Sequence, residues 1–382
     1  MERGRASLFY ALNNLSWFVC LAAFHAALLL EASRPSFALA SVALGLSAVF
    51  FLFVGMILRP TLKRSIVYIL AGSFISALSP WIVNAPPLLL ASLYFLTGLV
   101  GTLFLSHSIS NFLEYTSFED RGIKSGFFLA FCSICIILVS VAFRWHLITA
   151  LVLALYRLSS LVAVKAVEYA PLGAWSQEAV AHSQRGLFIF IICWLLFLVS
   201  DIFVRSSIPI YEPSGVFKQQ HLLSVAVSAF SVVVGGTLMD RMGRKLPIIL
   251  ACSTLGILYT LLIFLPQSAV PAILVASEVP WGFLFVFYML ILPGDLLSGR
   301  ARETVLCFFL STYWIKLMLR FTELTVGWIG LSEIGPLTEL LGSFLLFVSV
   351  PLLLISPETL PLRIVEKRKM TKYIEWAKRK AS

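Results

Sequence analysis

Charge is scarce in this chain: Asp, Glu, Lys and Arg supply 13% of its 382 residues. A soluble domain of that length needs many more polar residues to cover its surface, so a soluble globular fold is excluded. Histidine is scarce too. None of the five carries an acid at the H-x4-D spacing of acyl transfer. A D-x-D of glycosyl transfer, a phosphate-cradling glycine loop and a metal-ligand cluster are equally missing, which leaves an enzyme without a catalytic constellation. The six cysteines, at 20, 132, 135, 193, 252 and 307, all fall in apolar runs. Cys132 and Cys135 form a C-x-x-C with no polar neighbour to lower a thiol pKa, so they read as structural rather than redox or metal-binding.

What the chain has is grease. Hydrophobic residues make up 59% and the mean hydropathy is +0.95. Repeated apolar runs of about 20 residues read as transmembrane helices, because backbone groups in lipid must be satisfied internally. Unbroken runs exclude a barrel, whose strands would alternate polar and apolar. Twelve spans are expected, at 8–30, 36–58, 65–83, 88–112, 127–143, 147–167, 186–207, 219–239, 246–266, 272–294, 304–331 and 334–356. The first run is too long for a signal peptide. The pair between 127 and 167 is split at Arg144–His146.

With an even number of spans both termini share one side. That side collects 22 of the 29 Lys and Arg, from Arg3 and Arg5 to the eight basic residues of the tail. The opposite side holds only Arg34, Arg144, Arg205 and Lys218. The positive-inside rule makes the rich side cytoplasmic. This bias accounts for the net charge of +10, and no nucleic-acid partner is needed.

An internal repeat organises the chain. Written beneath each other, "GMILRPTLKR" from Gly55 and "GTLMDRMGRK" from Gly236 differ by an offset of 181. The same offset carries Glu31 to Glu212, Glu114 to Asp295 and Arg121 to Arg302. Two parallel six-helix halves are expected, residues 1–167 and 186–356, joined by a cytoplasmic linker at 168–185 and followed by a basic tail at 357–382. Parallel halves with substrate between them describe one large class of transporters.

The second of these segments resembles the cytoplasmic signature of the major facilitator superfamily, G-x-x-x-D-R-x-G-R-[RK], and every defined position is present. "EYTSFEDRGIKSG", Glu114 to Gly126, is similar to that family's acidic-then-RG linker. "PETL", Pro357 to Leu360, resembles a stretch after helix twelve in its sugar-porter branch. Gly236 is expected to let two helix backbones approach, and Gly243 to permit the turn. Asp240 should face exposed helix amides, while Arg241, Arg244 and Lys245 lie at headgroup level. The resemblance implies more: Asp240 and Arg244 would latch the cytoplasmic side shut with Asp295 and with the opposite half, and Glu114, Arg121 and Arg302 are the further landmarks of that latch. A plain positive-inside anchor explains the arginines but not Asp240 between them. The first copy has Arg59, Pro60 and Leu62 at three defined positions, so the latch is expected to be one-sided.

Charges inside spans cost about 2.5 kcal/mol or more at a helix centre, so each asks for a partner or a purpose. Lys316, Arg320 and Glu323 follow i, i+4, i+7 with Tyr313 beside them, which puts them on one face. They read either as contacts for a carboxylate or phosphate substrate or as an internal pair, Arg320 with Glu323, with Lys316 reaching a carbonyl. Asp201, Glu278 and His25 lie at similar depth and are the proton-coupling candidates. Against this, Asp201 has Arg205 four residues on. Arg157 fits neither scheme.

The tail Leu362–Lys380 reads as an amphipathic helix on anionic inner-leaflet lipid. The expected molecule is therefore an all-α secondary transporter of the major facilitator type, a multi-pass monomer in a plasma membrane. It would move a small organic solute, an anion suiting the basic residues, with protons as the coupling ion and no cofactor or metal. A transport-inactive sensor on the same fold and a multidrug efflux pump stay open, although the "GPxxGG" run of drug–proton antiporters is missing from the fifth span.

Overall fold

The computed structural model describes residues 3–31, 39–40, 42–47, 49–50, 62–82, 84–168, 184–207, 215–326 and 331–360, with 364, 366, 370 and 374. Every regular element among them is helical. In chain order these are α1 (Arg3–Glu31), α2 (Leu62–Ile82), α3 (Pro87–Glu114), α4 (Arg121–Ala142), α5 (His146–Ser159), α6 (Leu161–Glu168), α7 (Gln184–Ser207) and α8 (Gly215–Met242). They are followed by α9 (Lys245–Phe264), α10 (Val270–Leu296), α11 (Gly299–Val326) and α12 (Leu331–Ile355).

Eight stretches among the described residues are long and apolar enough to cross a membrane. One of them, Arg121–Val164, runs for 44 residues, about twice what a bilayer requires. It is interrupted at Phe143–Trp145 by a 3₁₀ turn, and Trp145 leaves helical geometry with φ −106° and ψ 54°. That is where the sequence places the break between two spans. Of the other expected spans, 65–83 is a shorter apolar helix, Ser65–Trp81. The span at 304–331 belongs to α11, with charged residues at 300, 302, 303, 316, 320 and 323. The span at 36–58 lies largely outside the described residues, as do most of the linker and of the tail. The structure thus supports a helical multi-span protein without fixing the number at twelve.

The outer surface is apolar. Leu88, Val162, Phe264 and Ile355 are each more than three-quarters exposed. In water a surface of this kind would aggregate; facing acyl chains it carries no penalty. Inside, α1 packs on α3, α4 and α5 in the first half. In the second half, α12 packs on α7 and α9, and α8 on α10. The most extensive packing among the described residues joins the halves, α4 against α8.

Glycines make that seam possible. A Cβ on Gly122 or on Gly236 would collide with the other residue's carbonyl oxygen, and one on Gly126 would sit 2.6 Å from the Val232 carbonyl oxygen. Small residues let backbones approach to van der Waals contact, which is the main attraction left between helices in lipid. The expectation for Gly236 is met with Gly122 as its counterpart.

Local chemistry also shapes α10. Pro293 has no N–H to give the carbonyl one turn back, and the helix widens into a π turn at Phe287–Ile291 just before it. Past the proline the helix ends at Leu296, and this final turn carries Asp295.

Candidate functional site

On the face where α3, α8 and α10 end and α4, α9 and α11 begin, charged side chains form a continuous layer. Asp240, at the end of α8, accepts hydrogen bonds from the backbone N–H of Gly122 (2.9 Å) and Ile123 (2.7 Å). Those are orphan donors in the first turn of α4, where the helix dipole favours an anion. Arg244 then ion-pairs with Asp240 and donates from Nε to Asp295 Oδ2 at 3.0 Å. Its Nη2 donates to the Phe118 carbonyl at 2.9 Å, reaching the first half. Arg121 of the first half completes the chain, with Nη1 2.6 Å from Asp295 Oδ1.

Asp295 is therefore held by one arginine from each half. Arg244, Arg121 and Asp295 are all buried, so these charge-assisted bonds are shielded from competing water. Burial alone would lower the Arg244 guanidinium; the Asp295 and Asp240 carboxylates outweigh it and raise it above its usual value.

The stretch after α12 underpins the layer. Glu358 accepts the N–H of Arg244 at 2.9 Å and of Lys245 at 3.2 Å, capping α9, and Thr359 donates to Asp295 Oδ2 at 3.2 Å. Lys245 Nζ donates to the carbonyls of Leu354 (2.6 Å) and Ser356 (2.9 Å). Gly243 has φ +99°, a backbone shape that side chains disfavour, and this turns the chain from α8 into α9. Arg241 is exposed and makes none of these contacts.

The remaining landmarks sit beside the layer. Arg302 donates to the carbonyls of Leu297 (2.9 Å) and, across the halves, Ser110 (3.2 Å). Glu114 stands near Arg302 and His107. His107 and Glu303 bridge the halves at 3.0 Å. The repeat matches Arg121 to Arg302, yet only Arg121 reaches Asp295.

Deeper in the second half a separate cluster forms. Asp201 on α7 pairs with Lys316 on α11, accepts from Arg205 Nε at 2.8 Å and accepts from the Tyr259 hydroxyl at 2.7 Å. Arg205 also holds Glu278 of α10 at 2.8 Å. Two cations face two anions, so the charges cancel. Lys316 lies 5.2 Å from the ring centroids of Trp281 and Tyr313. Sequence reasoning had offered a carbonyl for Lys316; the structure pairs it with the Asp201 carboxylate on another helix. The side chains of Arg320 and Glu323 lie outside the described residues. His25 stands apart from Asp201 and Glu278, hydrogen-bonded to Ser79 at 2.6 Å beside the Tyr94 ring.

Sequence reasoning found no partner for Arg157, and the structure gives none among the described residues. It is 1% exposed, with Nε and Nη1 lacking any hydrogen bond. Its Cζ lies 4.6 Å from the Trp17 ring centroid and 5.1 Å from that of Phe104. The α1 face beside it, Tyr10, Asn13, Asn14 and Trp17, was missed. Its i, i+3, i+4, i+7 spacing of polar and aromatic residues was the available signal.

Comparison with known structures places this arrangement. The human organic anion transporter MFSD10 (TETRAN) superposes with a TM-score of 0.64 over 92% of this chain and 98% of its own, at 12% sequence identity. FucP, a major facilitator superfamily transporter captured in the outward conformation, superposes with a TM-score of 0.57 over the same shares, at 13% identity. The chain has the major facilitator fold. No family model and no curated protein sequence matches it. The charged layer lies at the ends of the seam helices α4 and α8.

Proposed function

We propose that this protein is a secondary transporter that carries a small organic anion across a membrane by alternating access. The halves 1–167 and 186–356 rock about the α4–α8 seam, and the charged layer is the cytoplasmic gate. The observation that carries this reading is Asp295, buried between Arg121 of one half and Arg244 of the other. Such a contact is made in only one of two rocking states, so it can set their balance. The orientation, with this layer and both termini in the cytoplasm, rests on the basic residues gathered there. The human structural neighbour's name as an organic anion transporter supports the solute class.

Protons are the proposed coupling ion. Arg205 bridges Asp201 and Glu278, so protonating one carboxylate frees the guanidinium for the other and lets Lys316 move. His25, in the first half, is the third candidate. The basic tail rests on anionic inner-leaflet lipid, and the carrier works as a monomer.

The test is uptake into proteoliposomes carrying an internal pH dye, with benzoate, dicarboxylates, sugars and amino acids as solutes, for wild type and Asp295→Asn. Anion flux that moves protons, and that falls in the variant, is expected. Flux without proton movement removes Asp201 and Glu278 from coupling. Ligand-induced stabilisation with no flux for any solute would instead mark a sensor on a transporter fold.

A further inference from the structure

A guanidinium buried without a counter-ion is among the least favourable arrangements a protein can hold. Burying an ion is tolerated when its partners satisfy it, and removing those partners leaves the desolvation unanswered. Arg157 is in that position. Its Nε and Nη1 have no acceptor, and no carboxylate pairs with it among the described residues. The rings of Trp17 and Phe104 attract its charge, but ring faces do not satisfy N–H donors as an oxyanion does.

The surroundings are built rather than collapsed. Trp17 is fixed by its indole N–H donating to Ser76 at 2.9 Å. Phe104 meets Tyr10 and Tyr68 edge-on at 5.6 Å each. Asn14 donates to Ser108 at 2.5 Å, and Asn13 donates to the Tyr156 carbonyl at 2.6 Å and to Ser159 at 3.1 Å, tying α1 to the helix that carries Arg157. The amide oxygens of both asparagines are themselves buried and unpartnered. The 181-residue repeat puts Thr338 at the matching position of the second half, so an arginine is not a packing requirement common to both halves. The second half, meanwhile, neutralises its own buried cations with Asp201 and Glu278.

We propose that Arg157, framed by Trp17, Phe104, Tyr10 and Asn14, is an anion-binding site inside the first half that takes the carboxylate of a small organic anion. The guanidinium supplies directed N–H donors to the oxyanion, and the aromatic side chains receive the ligand's apolar part. The buried position is that of an occluded carrier, and the ligand enters when the helices part. The proposal rests on the transport reading for its biological meaning, but the site is tested by binding alone.

The experiment uses the full-length protein in neutral detergent, with benzoate as probe and uncharged benzamide as control. Thermal unfolding is followed for wild type, Arg157→Lys and Arg157→Met. Benzoate is expected to raise the wild-type midpoint, with benzamide silent. Arg157→Lys keeps the charge and should respond with an affinity weaker by about tenfold. Arg157→Met should unfold at or above the wild-type midpoint without ligand, because an unanswered charge has gone, and should lose the benzoate response. Three results would overturn the site: no benzoate response in wild type, an undiminished response in Arg157→Met, or a midpoint in Arg157→Met well below wild type. Loss of the wild-type benzoate response on adding phosphatidylglycerol would assign Arg157 to a lipid phosphate and overturn the solute assignment.

Benzoate counterflow in proteoliposomes separates the two readings. Binding that depends on Arg157, without flux of any solute, keeps the site and removes transport. Organic-anion flux indifferent to Arg157→Met keeps transport and removes the site.

Discussion

The two halves of this molecule treat buried charge in opposite ways. In the second half Asp201, Arg205, Glu278 and Lys316 cancel one another, with Tyr259 completing the hydrogen bonds. In the first half Arg157 is equally buried, over the rings of Trp17 and Phe104 and with no carboxylate partner among the described residues. A buried pair that is complete contributes to the stability of its half, whereas a lone cation detracts from it. The difference separates charge that holds the fold from charge held by the fold for something else.

The largest expected effect tests the completeness of the second-half cluster. Asp201→Asn leaves two cations facing one carboxylate and should cost about 3–5 kcal/mol, read as a lower unfolding midpoint. Adding Lys316→Met to it removes the orphan and should recover much of the loss. If the double variant is no better than the single, the cluster is not a charge-balanced unit.

Next comes the seam between the halves. Gly122→Leu drives a side chain into the Gly236 backbone and should cost about 1–3 kcal/mol by overpacking. The same substitution at Gly299, where a Cβ would meet nothing within 4 Å, tests backbone strain alone because its φ is +51°. Equal losses at the two glycines would deny the seam any special closeness.

Arg157→Met should not share the sign of Asp201→Asn: the ligand-free protein should unfold at or above the wild-type midpoint. A loss as large as that of Asp201→Asn would make the two halves alike. The smallest effect belongs to Lys124→Ala, which breaks an exposed i, i+4 pair with Asp120. Roughly 0.5 kcal/mol or less is expected in chemical unfolding, showing that burial, not pairing alone, sets the scale.

Much of the charged layer was legible in the sequence because it is written in a motif and a repeat. Asp240 and Arg244 were picked out by the resemblance of their motif, Asp295 by the repeat offset, and the Asp201–Arg205 pair by i, i+4 separation. What was illegible is tertiary. Lys316 and Asp201 lie 115 positions apart, and no periodicity links them. The offset that found Asp295 also matched Arg121 to Arg302, although Asp295 binds Arg121: a repeat reports equivalent positions, not which of them touch. Asp240 was expected beside helix amides; that these belong to α4 of the opposite half depends on the Gly122–Gly236 approach. Trp17 and Phe104 looked like any aromatic residue in an apolar run, so Arg157 had no visible surroundings.

The gate we propose depends on Asp295 holding the two halves together at the charged layer. Spin labels at Lys124→Cys on α4 and Met242→Cys on α8, both exposed beside the charged layer, report that separation by pulsed electron resonance. In the ligand-free protein one short distance is predicted, and Asp295→Asn should add a second, longer population. An unchanged single distance in Asp295→Asn, in folded protein, would contradict the gate.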